Sequence, residues 1–102
     1  MSVLAIFTYA VKPGRMQDFL AKLKQAADPK FNSPVMPKSI RLFHNTVPGP
    51  DTGALLLIEY TDMAAYGART AFENANSEWK ALFASHPNSP ETLVSVQLLS
   101  EL

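Results

Sequence analysis

The sequence predicts an α+β fold: one four-stranded antiparallel sheet of strand order 4-1-3-2, with two helices on one face. Three observations predict it. Four stretches carry strand chemistry, rich in β-branched and aromatic residues. Two stretches repeat apolar residues at helical spacing. Their order along the 102 residues is βαββαβ, and short connections join two split βαβ units in only one sensible way.

The first strand is Val3 to Val11 (VLAIFTYAV), apolar on both faces and so central. Lys12-Pro13-Gly14 ends it, since Pro13 fixes φ for a turn or a first helical position. Met16, Phe19, Leu20, Leu23 and Ala27 then recur at helical spacing, while Arg15, Gln17, Asp18, Lys22 and Lys24 are expected to face away. This helix of about four turns stops at Asp28-Pro29. Residues 28 to 38 (DPKFNSPVMPK) hold three prolines and read as an irregular ordered loop, whose Phe31, Val35 and Met36 pack over something. Ser39 to Val47 is the second strand, VPGPDTG is turn chemistry, and Ala54 to Tyr60 is the third strand of a long-looped hairpin. Thr61 or Asp62 caps a second helix running to about Ala84. Its apolar positions include Met63, Tyr66, Phe72, Trp79, Leu82 and Phe83, and a break is expected near Asn74 to Ser77. SHPNSPE is a loop, and Thr92 to Leu99 is the fourth strand. The result is a ferredoxin-like sandwich, a single domain over residues 1–102.

Facing residues across an antiparallel hairpin share a face. The more apolar rows are Ile40, Leu42, His44 and Thr46; Leu56, Ile58 and Tyr60; Val94, Val96 and Leu98. Matching them places His44 with Ile58, Tyr60 and Val96 on the helix side. It leaves Arg41, Asn45, Glu59, Ser95 and Gln97 on the other face, with Leu93 and Leu99 in the same row. A one-residue slip would bring His44 onto the Glu59 face instead. The face away from the helices also carries Phe43, Leu55 and Leu57. A second copy of the chain is the simplest cover for it, so a homodimer packed sheet against sheet is expected.

Composition narrows the function. Lys plus Arg and Asp plus Glu number nine each, so no electrostatic footprint for nucleic acid exists and self-association is not opposed. Without cysteine there is no disulfide, thiolate zinc site or cysteine nucleophile. MSVLAIFTYA lacks a basic leader region, and no apolar run reaches membrane-spanning length. A cytoplasmic protein with no membrane partner is expected.

His44 is one of only two histidines. On an apolar row it reads either as a general base or hydrogen-bond donor assisted by Tyr60 or Tyr9, or as a structural histidine bonded to backbone or water. An isolated histidine without nearby acids is no metal site, and no cofactor is called for. Tyr60 joins His44 as a candidate catalytic residue; Tyr9, Phe31, Met36 and Trp79 are candidate substrate-binding residues, with the Phe31/Met36 loop as a lid. Trp79 reads first as a helix-face core residue closing the sandwich, with a pocket wall as its alternative. Arg41 and Glu59 are expected to pair across the hairpin, either as a carboxylate clamp or as a structural pair. Arg69 and Glu73, four apart, read as an exposed surface pair, and His86 as solvated. The KPG turn lacks the glycine and lysine pattern of a phosphate loop, and no nucleophile-plus-base motif is present.

FTYAVKPGRMQDFLAKL (7–23) resembles the first strand, KPG turn and helix of dimeric α/β-barrel proteins. IEYTDMAAYGARTAFENANSEWKALFA (58–84) resembles the third strand and second helix of the NIPSNAP-like branch, where an aromatic strand end runs into a long helix carrying a P-E-W or similar motif before its last turns, here Ser77-Glu78-Trp79. The resemblance implies a ferredoxin-like subunit, a sheet-to-sheet homodimer and a cavity between sheet and helices. The superfamily includes cofactor-free monooxygenases acting on polyketide aromatics, haem-degrading enzymes and lactone isomerases. The resemblance assigns no catalytic residue here.

The leading expectation is a homodimeric protein binding a small apolar or aromatic molecule between sheet and helices. If enzymatic, it is a cofactor-independent oxygenase or isomerase with His44 as base or donor. The rival is a non-catalytic dimeric module with a filled core; a third reading is a haem binder.

Overall fold

The computed structural model describes residues 2–44 and 53–102. Four strands, β1 (Val3–Val11), β2 (Ser39–His44), β3 (Gly53–Tyr60) and β4 (Glu91–Ser100), form one antiparallel sheet of order β2-β3-β1-β4. The predicted α+β ferredoxin-like fold is the one observed. The expected strand residues Asn45, Thr46 and Val47, and most of the VPGPDTG turn, lie outside the described residues. Among the described residues no helix is long and apolar enough to cross a membrane.

Helix α1 spans Met16–Ala26, three turns where the spacing predicts about four. The KPG turn enters it with Gly14 at φ 74, a left-handed value at which a side chain would be strained. After α1, Asp28 Oδ1 accepts from the Lys30 N–H at 2.9 Å and starts a 3₁₀ turn over Pro29–Phe31. The second helical stretch divides as its sequence suggests. Helix α2 (Met63–Ala75) begins where Asp62 Oδ1 accepts from the Ala65 N–H at 2.8 Å. Asn76 then takes extended geometry, and its Oδ1 accepts from the Trp79 N–H at 3.0 Å to open α3 (Ser77–Leu82).

One row of the sheet faces the helices: Val3, Ala5, Phe7, Tyr9 and Val11 of β1, opposite Tyr60, Ile58, Leu56 and Ala54 of β3. Phe19 of α1, wholly buried, packs on this row with its ring 5.0 Å from Tyr9. Tyr66 of α2 meets Tyr60 edge-on at 5.4 Å. Burial of such rings is the main stabilising term of the domain.

The pairing of β1 with β4 slips between Thr8 and Tyr9, so Val11 faces Glu91 and Tyr9 faces Leu93. This bulge corrects the expected rows of β4. Leu93, expected beside Ser95 and Gln97, joins Val96 and Leu98 on the helix side, and Glu91 enters that row too. An unbroken period of two, as read from the sequence, cannot anticipate such a step.

Candidate functional site

Between the inward row and the helices lies a cavity of about 850 Å³. Its wall is mostly apolar and aromatic: Phe7, Leu23, Leu42 and Leu56 with Phe31 and Trp79 are among its residues. Tyr9, Phe31, Met36, Tyr60 and Trp79, the expected site residues other than His44, all line it. Phe31 is held against Trp79, ring edge to face at 5.3 Å, and Trp79 in turn lies 5.0 Å from Phe83.

His44 stands apart from this wall. It shares the inward row, as expected, but pairs with Ala54 at the far end and is exposed. Ala54 and Tyr60 lie six residues apart on β3, about 20 Å along the strand. His44 and Tyr60 therefore do not come together as a catalytic pair in this structure.

The polar part of the wall comes from residues expected elsewhere. Arg69 and Glu73 are not an exposed surface pair: Arg69 is 4% exposed and both residues line the cavity. Tyr66, Arg69 and Glu73 fall three and four apart, on one stripe of α2 turned toward the sheet. Met63, counted among the apolar positions, is left 51% exposed. Arg69 Nε donates to Glu73 Oε2 at 2.9 Å. Its Nη1 donates to the Phe31 carbonyl at 2.6 Å and to Ser33 Oγ at 3.1 Å, and contacts Met36 Sδ at 3.3 Å. One guanidinium thus ties the proline-rich loop to α2. It also lies 4.9 Å from the Phe72 ring and 5.1 Å from the Trp79 ring, favourable cation–π distances.

A second ion pair closes the other end. Lys22 Nζ bonds Glu91 Oε2 at 2.9 Å and Oε1 at 3.2 Å, with side chains 10% and 7% exposed. Lys22, expected to face solvent, is drawn inward because the β4 bulge turns Glu91 toward α1. Glu91 lines the cavity.

Arg69 Nη2, Glu73 Oε1 and the hydroxyls of Tyr9 and Tyr60 find no hydrogen-bond partner among the described residues. All four belong to residues that line the cavity. Burial, and then the Glu91 and Glu73 carboxylates, push the Tyr9 hydroxyl up to about 12. Burial, and then Glu73, push Tyr60 up to about 12 as well. Both are firm O–H donors at neutral pH. Burial also raises Glu73 above the usual carboxylate range, against the opposing pull of Arg69.

The other expected pair does not form among the described residues. Arg41 sits opposite Leu57 and stacks over Phe43 at 5.0 Å. Glu59 instead meets Lys38 Nζ at 3.8 Å and Ser39 Oγ at 3.4 Å. His86 is exposed, as expected. Among the described residues no group of three or more His, Asp or Glu could hold a metal ion.

A family model described as NIPSNAP matches residues 4–97. The chain belongs to the NIPSNAP family. No curated protein matches the chain. Solved structures of the fold include an uncharacterised NIPSNAP-like domain protein from Burkholderia xenovorans, 21% identical over 99% of this chain and 85% of that one, at TM-score 0.70. A NIPSNAP family protein from Agrobacterium tumefaciens is 14% identical over 97% and 90%, at TM-score 0.67. SnoaB, a cofactor-independent oxygenase from Streptomyces nogalater, is 16% identical over 98% and 92%, at TM-score 0.68. At these identities the likeness to this NIPSNAP-family chain is one of fold.

Proposed function

We propose that this NIPSNAP-family protein binds a small apolar or aromatic molecule between its sheet and its helices. The supporting observation is the cavity of about 850 Å³ whose mostly apolar and aromatic wall also carries Tyr9, Tyr60, Arg69 and Glu73, four residues with a polar atom that finds no partner among the described residues. A large apolar pocket with a few placed polar groups is the usual form of a small-molecule site. Tyr9, Tyr60, Phe31, Met36 and Trp79 contact the ligand in this reading. The fold shared with a cofactor-independent oxygenase makes oxygenation or isomerisation without a cofactor the reaction class to assay. On the wall Glu73, rather than His44, is placed to take a proton. The competing reading is a non-catalytic dimeric module, and a cavity of this size counts against its filled core.

The reading includes a cytoplasmic homodimer joined through the open sheet face. That face presents Leu4, Ile6, Leu55 and Leu57, with Phe43 and Leu99 exposed beside them. It fits a second copy because the surface is self-complementary in its apolar character and the chain has no net charge to repel its like.

The test of the site is titration with N-phenyl-1-naphthylamine, an uncharged probe that brightens in apolar surroundings. Saturable brightening at one site per chain, lost in Leu42→Trp, which fills the cavity from the β2 side, is expected. Absence of saturation in the unaltered protein would defeat the proposal.

A further inference from the structure

We infer that the cavity selects an uncharged molecule with a hydroxyl head, such as a phenol, and discriminates against a carboxylate of the same shape. The inference deepens the ligand-binding proposal above and rests on it.

Two observations carry it. First, the formal charges on the cavity wall are already matched. Arg69 meets Glu73 at 2.9 Å, and Glu91, also on the wall, meets Lys22 at 2.9 Å. The site is therefore neutral. An anion entering an apolar enclosure beside two carboxylates would lose its hydration and gain no unspent counter-charge. Second, the unmatched atoms are dipolar or are leftover edges of paired ions. Tyr9 and Tyr60, 8% and 3% exposed, offer O–H groups; Arg69 Nη2 offers N–H groups; Glu73 Oε1 accepts. Both tyrosines hold their protons well above neutrality, so they serve as donors. A head that accepts from Arg69 or a tyrosine and donates to Glu73 satisfies both kinds of group at once. A phenol does this with one oxygen. A carboxylate can only accept, and it would face Glu73 charge against charge.

The test is calorimetric titration of the full chain with 2-naphthol and, separately, with 2-naphthoate at pH 8. We expect 2-naphthol to bind at least ten-fold more tightly. In Glu73→Gln the preference should shrink or reverse, because Arg69 is then left with an unmatched charge that welcomes the carboxylate. Glu73 is part-exposed and Gln keeps an oxygen for Arg69 Nε, so this variant is expected to fold; circular dichroism checks it. Arg69→Lys should weaken 2-naphthol binding while keeping the charge balance. Equal or tighter binding of 2-naphthoate to the unaltered protein overturns the inference, as does a preference unmoved by Glu73→Gln. If N-phenyl-1-naphthylamine saturates the cavity but the two naphthalenes are not distinguished, only this inference fails. If N-phenyl-1-naphthylamine does not saturate the cavity, the ligand-binding proposal fails, and this inference with it.

Discussion

Arg69 and Glu73, one turn apart on α2, form an ion pair at 2.9 Å on the wall of the cavity, with the arginine all but wholly buried. An exposed pair in this order would contribute a few tenths of a kcal/mol. With the arginine buried and the glutamate partly so, the same two side chains organise the site: Glu73 orients the guanidinium, which holds Phe31 and Ser33 and so fixes the loop that carries one wall.

Removing Arg69 should therefore cost far more than a surface pair would. Arg69→Met leaves Glu73 partly buried without its partner and releases the loop carbonyl, an expected loss of about 3 kcal/mol. Chemical denaturation measures it. Proteolysis within residues 32–38 should also quicken in the variant. A loss within 0.5 kcal/mol would show that the pair is not the anchor described.

Lys22 and Glu91 make a comparable test at the other end of the cavity. Lys22→Met strands a carboxylate that is 7% exposed, and a loss of roughly 3 kcal/mol is expected. The double variant Lys22→Met with Glu91→Leu should recover most of it, since a well-packed apolar pair often equals a buried ionic one. A double variant as unstable as the single one would argue against the pairing.

Tyr9 and Tyr60 predict an alkaline limb in the stability profile. Their folded-state values lie near 12, above the ordinary 10.0, chiefly through burial. The unfolded chain thus loses these protons first. The stabilisation is complete below pH 10 and is lost as pH rises toward about 12, by roughly 2–3 kcal/mol per tyrosine. Tyrosinate absorbance and denaturation midpoints measured together follow it. In Tyr9→Phe and Tyr60→Phe the decline should become shallower; a decline unchanged in both would contradict the burial of these hydroxyls.

The open sheet face predicts the assembly. Light scattering at micromolar concentration should give twice the 11.2 kDa chain mass, and Leu57→Glu, which puts a charge in the middle of the face, should halve it. A single-chain mass for the unaltered protein would remove the dimer from the proposal.

The fold was legible because its signals are local and repeated. The β-branched and aromatic run of β1, the helical spacing of Met16, Phe19 and Leu23, the cap expected at Thr61 or Asp62 and the break expected near Asn74 to Ser77 each point to the element found. Part of the aromatic wall was legible for the same reason: Tyr60 sits on the row with Leu56 and Ile58 that alternation sets toward the helices. The polar part was not. Charged residues at helical spacing read as solvent-facing by default, and only the count from Tyr66 to Arg69 to Glu73 hints that this stripe turns inward. Glu91 and Lys22 meet through a bulge, whose one-residue step leaves no mark in the composition of β4. His44 drew attention by its chemistry, yet its place on the strand, opposite Ala54, keeps it off the wall. Direction along a row is easy to read; distance along it depends on a register that the sequence leaves open.

The most direct measurement is a crystal structure of the protein with N-phenyl-1-naphthylamine. The account predicts density for the probe between the inward sheet row and the helices, against Tyr9, Tyr60 and Trp79, with its N–H toward Glu73. A cavity left empty at saturating probe, or density found only on the open sheet face, would contradict it.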